Sequence, residues 1–388
     1  MTLFHNIPIE LANLQQKLNT LRKSGQLEIQ NGDEGYASAP SNIALLKYWG
    51  KDPHKLQIPD NSSISFTLNG FRTFTKVRSL NRFLPEIPST RETSKSHQFI
   101  LTKEGQTPSL EGQTPAPKLN LFLNSILSPF ANDITLKIET TNQFPTACGI
   151  ASSASGYAAL AGAIADMLNL QERFSPQELQ YWISQWARIG SGSATRSSLL
   201  EEDSLFVMWK KTSADETQTE NIPHHPAWQD VSHCVFILDG TEKSVSSSAG
   251  HTHAPTSVFH KIRVAGIHQR INKMKQALAQ YDFETIAHLT EEDAFAMHAV
   301  MQTGTPPACY LNDKASSIIA AFVTMRNEFS WNAFWTLDAG PNVHFIFKKD
   351  DAPHIAHFHS LMESFVGDKI RVLYNTPQYQ GLKIGQIL

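Results

Sequence analysis

The chain has 388 residues, of which 41% are hydrophobic and 18% are charged, and its formal net charge is -3. This length predicts two domains rather than one small core, and so small a net charge provides no global field to attract nucleic acid or an anionic membrane. We therefore expect neither as a partner. Three scattered cysteines argue against a disulfide framework, and no signal peptide or membrane-length apolar run is evident, so the expected location is cytoplasmic.

Residues 1–34 are predicted to form an N-terminal extension. Four leucines in it are spaced three and four residues apart, as on one face of an amphipathic helix that ends near Gly25, at Leu11, Leu14, Leu18 and Leu21. We expect this face to pack on the chain's own surface, and a dimer contact is the less favoured alternative.

Mixed helix and strand patterns follow the extension. Alternation predicts strands at 64–68, 74–77 and 134–139, with Asn69-Gly70 as a turn between the first two. Ser175, Pro176 and Glu178 form a capping box that starts a helix ending at Gly190. We place the domains at 35–210 and 211–388. The second domain is expected to contain helices and strands at 257–281, 283–303, 313–326, 234–238, 334–337 and 343–347.

In the stretch 144–156, every side chain from Thr146 to Gly156 is small except Ile150, and an Ala-rich helical pattern follows. Small residues let a ligand approach the backbone, and N–H groups at a helix start attract phosphate. The segment is not a G-x-x-x-x-G-K-[ST] loop, because no Lys follows its last Gly. A plain turn that caps a core helix is an equal alternative on this stretch alone. The candidate phosphate-binding residues are Gly149, Ser152, Ser153, Ser155 and Gly156.

Three further polar groups accompany this segment. Lys47 and Lys51 enclose two aromatic residues, residues 190–196 form a Gly/Ser nest that ends in Arg196, and Asp338 stands in a tight turn between apolar strands. Taken alone, each group has a simpler structural explanation. Lys47 and Lys51 could be a solvated lysine pair, residues 190–196 a helix-terminal turn, and Asp338 part of an Asx turn. Together they supply anion cradles, fixed cations and one carboxylate, which is a combination suited to phosphoryl transfer.

These segments resemble the diphosphomevalonate decarboxylase family of the GHMP kinase superfamily, in the family's order, at residues 38–51, 56–65, 144–156, 187–196, 246–250, 306–312 and 337–342. The resemblance implies an α+β, two-domain GHMP kinase fold. Its N-terminal domain would be ribosomal protein S5 domain 2-like, its C-terminal domain ferredoxin-like, and its site would lie in the cleft between them. It also implies ATP, Mg²⁺, a phosphorylated mevalonate as small-molecule substrate and a homodimer.

The implied reaction is ATP-dependent decarboxylation of mevalonate 5-diphosphate to isopentenyl diphosphate, through phosphorylation of the 3-hydroxyl and loss of that phosphate. The resemblance implies that Asp338 orients the alcohol, Lys47 neutralises charge and Arg196 holds the substrate carboxylate, while Asn42 supports the reacting centre. The implied substrate-binding residues are Tyr48, Lys51, Ser191, Gly192, Ser193, Arg196, Ser246 and Ser247. The implied ATP-binding residues are Gly149, Ala151, Ser152, Ser153, Ala154 and Ser155, with Ser153 at the Mg²⁺.

Several residues depart from the family pattern near the expected diphosphate end. After Arg196 an acidic stretch at 201–203 replaces a usual Gly pair, Asp52 stands in place of a usual Arg, and His251 in place of a usual Met. These changes leave the substrate's phosphorylation state open. The alternatives are a decarboxylase or 3-kinase acting on mevalonate 5-phosphate or 3,5-bisphosphate, or a non-catalytic binding member. The presence of Lys47, Arg196 and Asp338 together disfavours the kinase and the non-catalytic member.

The histidines are numerous in two short stretches, but acidic or cysteine ligands at zinc-site spacings do not accompany them. We therefore expect no zinc at His251 and His253, or at His354, His357 and His359.

Overall fold

The structure is a computed structural model that describes residues 9–52, 55–80, 98–103, 117–130, 135–145, 150, 152–238, 247–375 and 380–385. The helices are α1 (Ile9–Lys23), α2 (Pro117–Leu127), α3 (Ser152–Met167), α4 (Pro176–Gly190), α5 (Ser247–His253), α6 (His260–Gln280), α7 (Phe283–Thr303), α8 (Asp313–Phe329) and α9 (Ala352–Val366). The strands are β1 (Glu34–Leu46), β2 (Ser63–Leu80), β3 (Gln98–Lys103), β4 (Thr135–Asn142), β5 (Phe206–Lys211), β6 (Thr217–Asn221), β7 (Val231–Ile237), β8 (Ala333–Thr336), β9 (Val343–Lys348), β10 (Arg371–Asn375) and β11 (Lys383–Ile384).

The first sheet is built on the long antiparallel pair β1 and β2, in the order β11-β1-β2-β4-β3, and β5 and β6 branch from β2. Strands β3 and β4 are parallel, and α2 lies between them in the chain. Helix α3 is rich in alanine and buried along most of its length, because small side chains let it lie close to its neighbours. Gly162 shows this close approach, since a Cβ there would lie 2.9 Å from the Cβ of Ala37 in β1.

The predicted turn at Asn69-Gly70 is wrong. Strand β2 continues through these residues, and its register with β1 shifts from Arg72 opposite Pro40 to Leu68 opposite Ser41. Residues 69–71 therefore form a bulge, which is another common role for glycine in a strand. The bulge has a use in the fold, because the Gly70 N–H donates to Asn375 Oδ1 of β10 at 2.7 Å and joins the two sheets.

The second sheet is antiparallel in the order β10-β7-β9-β8. Its strands occur in the chain as β7, then helices, β8, β9, α9 and β10, which is the ferredoxin-like β-α-β-β-α-β arrangement that the family resemblance implies. The predicted strands and the three long helices of this half are confirmed. Helix α9 has no counterpart among the sequence predictions.

The expected boundary at residue 210 falls within the β5–β6 hairpin, and both of its strands belong to the first sheet. The chain also returns to this sheet near its end, where β11 pairs with β1 at Ala37 and Ser38. Leu382, just before β11, is buried in the core of the first domain.

The two sheets share an apolar cluster that contains Phe66 of β2, Val235 of β7 and Ile346 of β9. Helix α1 packs on the first domain as expected, because Leu18 is buried in its core and Lys17 forms an ion pair with Glu178 of α4. The side chains of Leu11 and Leu14 lie outside the described residues. In the parts of the chain listed above, no helix has the length and apolar character needed to cross a bilayer.

Candidate functional site

A buried ion pair joins the two domains where the sequence predicts the cleft. Lys47 follows the last residue of β1, and Asp338 lies in the turn between β8 and β9. Lys47 Nζ donates to Asp338 Oδ1 at 2.9 Å and to the carbonyl oxygen of Ala44 at 2.6 Å. The Lys47 side chain is 1% exposed and that of Asp338 is 35% exposed. Burial lowers the pKa of Lys47, and the charge of Asp338 opposes this shift. The pair therefore presents a carboxylate that is open to the cleft on one side.

Arg196 lies beside this pair, in a 3₁₀ turn at Gly192–Ser197. Its Nη1 donates to Ser63 Oγ at 2.6 Å and its Nε to Asn42 Oδ1 at 3.3 Å, and Asn42 is itself held by Ser197 Oγ at 2.7 Å. Among the described residues, no carboxylate forms an ion pair with Arg196. Burial lowers the pKa of Arg196 to about 10, and Asp338 acts against this shift. A buried guanidinium with neutral partners is costly, so the arrangement favours an anionic ligand.

Glycines let the 190–193 segment lie close to two tyrosine rings. A Cβ at Gly190 would lie 2.0 Å from Tyr157 Cδ1, and one at Gly192 would lie 2.6 Å from Tyr48 Cε1, so both rings occupy space that only glycine leaves. Ser191 Oγ and Ser193 Oγ lie 3.1 Å apart. None of the described residues forms a hydrogen bond with the buried hydroxyl of Tyr48, and burial raises the pKa of Tyr48, so the hydroxyl remains a donor.

Lys51 and Lys118 supply positive charge at the same side of the cleft. Lys51 Nζ donates to Gln57 Oε1 at 3.1 Å, and Lys118 lies in the first turn of α2 with its Nζ over the ring of Tyr157. Burial lowers the pKa of both lysines, and the charge of Lys51 lowers the pKa of Lys118 further. Sequence reasoning missed Lys118, because it stands in no motif. Ser247 is the first residue of α5, and Ser246 lies outside the described residues.

The first turn of α3 contains the predicted ATP-binding residues that the structure describes, which are Ser152 to Ser155. Ser152 is partly exposed and Ser153 is exposed, whereas Ala154 is buried. The expectation that the Ser155 hydroxyl contacts ATP is corrected, because Ser155 is fully buried and its Oγ pairs with Thr73 Oγ1 of β2 at 2.7 Å. Gly149 and Ala151 lie outside the described residues.

Helix α7 holds both members of the central ion pair, a feature that sequence reasoning missed. Asp293 Oδ2 accepts from the backbone N–H of Lys47 at 2.6 Å, and His298 Nε2 donates to the carbonyl oxygen of Asp338 at 3.2 Å. Asp293 is fully buried and pairs with Arg263 at 2.8 Å and Arg270 at 2.9 Å. An acid and a histidine five residues apart in an apolar helix were the available signal.

The C-terminal histidines have structural contacts. His354 Nδ1 lies 3.0 Å from Asp351 Oδ1 and its ring stacks on Trp331, while His359 Nε2 donates to the carbonyl oxygen of Ile370 at 2.7 Å. Across the described part of the chain, no three or more His, Cys, Asp or Glu side chains are grouped so that they could hold a metal ion.

Two α+β domains, with a small-residue segment leading into α3 and an acid–lysine pair in the cleft, define a protein of the GHMP kinase fold. Residues 39–220 match the model of the diphosphomevalonate decarboxylase-like N-terminal domain, and residues 233–383 match that of the mevalonate 5-diphosphate decarboxylase C-terminal domain. The chain belongs to the diphosphomevalonate decarboxylase family, which confirms the predicted family and fold.

Characterised relatives and solved structures agree with this placement. The chain is 33% identical to the diphosphomevalonate decarboxylase of Debaryomyces hansenii, over 81% of this chain and 79% of the relative. The mevalonate diphosphate decarboxylase of Staphylococcus aureus superimposes with a TM-score of 0.76 at 31% identity, covering 91% of this chain and 98% of its own. The structure of MDDEF in complex with MVAPP, AMPPCP and magnesium superimposes with a TM-score of 0.75 at 29% identity, covering 91% of this chain and 99% of that chain.

Proposed function

We propose that this chain catalyses the ATP-dependent decarboxylation of mevalonate 5-diphosphate to isopentenyl diphosphate, a step of isoprenoid biosynthesis in the mevalonate pathway. One observation carries the proposal. The open side of a buried Lys47–Asp338 pair lies beside Arg196, a buried cation with no ion-pair partner among the described residues. The curated relatives are diphosphomevalonate decarboxylases, which supports the same reaction.

Asp338 and Lys47 are proposed to act on the 3-hydroxyl of the substrate. A tertiary alcohol is a poor nucleophile, so a carboxylate that accepts its hydrogen bond orients the oxygen for attack. Lys47 is held on Asp338 at 2.9 Å and contributes the positive charge that phosphoryl transfer needs in a water-poor cleft. The Lys47 side chain is buried, its Nζ donates to the carbonyl oxygen of Ala44, and its backbone N–H donates to Asp293. Together these contacts hold the positive charge in one place.

Arg196 is proposed to bind the substrate carboxylate, which is the group lost as carbon dioxide. Ser63 and Asn42 hold the guanidinium from the sides, at 2.6 and 3.3 Å. A guanidinium forms paired hydrogen bonds with a planar carboxylate, so it fixes the plane of the bond that breaks. Asn42 therefore acts on the reacting centre through Arg196.

The diphosphate end of the substrate is assigned to the basic side of the cleft. Lys51 and Lys118 provide charge, the unpartnered hydroxyl of Tyr48 provides a donor, and the 191–193 turn provides hydroxyl and backbone groups. Ser246 and Ser247 are proposed as further contacts. The acidic side chains that follow Arg196 are exposed, and Asp203 accepts a hydrogen bond from Gln229 at 3.1 Å.

ATP and Mg²⁺ fit the first turn of α3. Ser152 and Ser153 offer hydroxyl groups at the N-terminus of this 16-residue helix, where backbone N–H groups favour phosphate. We propose Ser153 as the side chain nearest the ion, and Gly149, Ala151 and Ala154 as backbone contacts. The ion, when bound, neutralises charge on the transferred phosphoryl group.

Product analysis with three candidate substrates tests the proposal. The enzyme is supplied with ATP and Mg²⁺ and with mevalonate 5-diphosphate, mevalonate 5-phosphate or mevalonate 3,5-bisphosphate, and carbon dioxide and ADP are measured together. We expect stoichiometric carbon dioxide and ADP from the 5-diphosphate. ADP without carbon dioxide would indicate a 3-kinase, and preferential turnover of a different substrate would reassign the reaction.

We also propose that the first domain extends to Asn221 and is completed by β11. We propose further that the protein is a cytoplasmic homodimer, as the family resemblance implies. Sedimentation or light scattering at several concentrations tests the oligomeric state. A constant monomer mass would reject the dimer.

A further inference from the structure

His251 is enclosed by the segment that follows Lys47. Its ring lies 4.1 Å from the ring of Tyr48, in a stacked arrangement, and 4.3 Å from that of Trp49. Gly250, the preceding residue, permits this contact, because a Cβ there would lie 2.7 Å from Trp49 Cζ2. The imidazole therefore packs against two aromatic rings, and these contacts restrict its position.

One hydrogen bond determines which ring nitrogen carries the proton. The backbone N–H of Gly50 donates to His251 Nδ1 at 3.1 Å, so Nδ1 is the acceptor and carries no proton. The neutral ring then has its proton on Nε2. Within the described residues this is the one hydrogen bond of His251, so the Nε2–H donor is free for a ligand.

The surroundings of His251 are strongly basic. Burial lowers the pKa of His251 well below its usual value, and the charges of Lys51, Lys118 and Arg196 lower it further, while Asp338 opposes them. The ring therefore stays neutral among three cations. Such a group adds a directed donor for an anion, and it does so without the cost of one more buried charge.

We propose that His251 is a specificity-determining residue that donates a hydrogen bond from Nε2 to a phosphoryl oxygen at the 5-end of the substrate. This inference rests on the proposed function and names one more contact within that site. The donor is directional, since the Gly50 bond and the two flanking rings hold the imidazole in one orientation.

Two replacements separate the donor from the shape of the side chain. His251→Met keeps similar volume without an N–H, whereas His251→Gln keeps an amide donor. We expect H251M to raise both KM and the calorimetric Kd for mevalonate 5-diphosphate about tenfold, with kcat within about twofold, because a hydrogen bond to a charged group is lost. H251Q should recover at least half of the lost binding free energy. His268→Met, on an exposed part of α6, is the matched control.

The outcomes are distinct. An unchanged Kd in H251M would overturn the inference, and so would an equal loss of affinity in H251M and H251Q. Neither result depends on a hydrogen-bond donor at this position. Calorimetry measures binding without turnover, so a chain that binds the diphosphate but releases no carbon dioxide would contradict the proposed function alone. If H251M does not fold, histidine ¹⁵N NMR of the wild type replaces the calorimetry of this variant. Spectra are recorded with and without inorganic pyrophosphate, and the His251 signal is assigned by its absence in H251Q. An Nε2–H signal that does not move would also overturn the proposal.

Discussion

Asp338 combines a buried contact with an open face. It pairs with the buried Lys47, yet its side chain remains about one third exposed, at 35%. Replacement by Asn should leave the fold intact and lower kcat by about two to four orders of magnitude, because it removes the carboxylate that we propose orients the substrate hydroxyl. Product formation in single-turnover assays measures this loss. Asp350→Asn, an exposed change of the same chemistry, is the control, and equal rates in both variants would reject the role.

His298 is expected to make stability depend on pH. Burial is the main cause that lowers its pKa from 6.5 to about 4 in the folded protein. Between these values the unfolded chain binds more protons than the folded one, so stability falls as the pH drops from 6.5 towards 4. This group contributes at most about 3 kcal/mol to the fall. Well above pH 6.5 neither state binds a proton at His298, and this contribution to the pH dependence vanishes.

The measurement compares urea unfolding of the wild type and His298→Asn at pH 7 and pH 5. We expect the difference in unfolding free energy between the two proteins to shrink at pH 5, since only the wild type pays for protonating this buried ring. His233 and His251 also have lowered pKa values, but they are present in both proteins and cancel. A pH-independent difference would contradict the assignment.

At the scale of elements, α7 supports the reacting pair. Asp293 accepts from the backbone of Lys47 and neutralises Arg263 and Arg270. Asp293→Asn leaves these guanidinium groups without their carboxylate, and we expect a loss of about 3 to 5 kcal/mol in unfolding free energy. Glu292→Gln, at a half-exposed neighbour, should cost less than about 1 kcal/mol. Equal midpoints in urea for the two variants would contradict this role.

Local signals predicted some elements well and others poorly. The capping box of Ser175 and Glu178 is confirmed, because a cap depends on residues only three positions apart. The predicted turn at Asn69-Gly70 is wrong, because pairing of β2 with β1 on both sides of the bulge outweighs the local preference of Asn-Gly for a turn.

The candidate site divides in the same way. Lys47, Asn42, Arg196 and Asp338 stand in contiguous motifs, and the structure brings them together. Lys118 stands in no motif, and the spacing of Asp293 and His298 does not show what these residues contact, because their place in the site depends on how distant segments pack. Ser155 has the residue type of a phosphate ligand but faces β2, and only the fold shows which way it points.

At the scale of the whole molecule, the return of the chain to β1 is expected to stabilise the first domain. Leu382 is 3% exposed and packs in its core. Leu382→Ala should lower the unfolding free energy by about 2 to 5 kcal/mol, because it removes buried methyl groups and leaves a cavity. Leu361→Ala on α9, where the side chain is 38% exposed, should cost less than half as much. Similar urea midpoints in the two variants would show that this return contributes little.

The pairing of β1 with β11 also bears on synthesis of the protein. β1 is translated before the second domain, and its partner β11 is made only after that domain. The first sheet therefore cannot be completed until the second domain has been translated, and until then this edge of β1 stays unpaired in the nascent protein. Unpaired edges invite association with other chains. Nascent chains stalled before residue 382 are thus expected to be the forms that most need a chaperone.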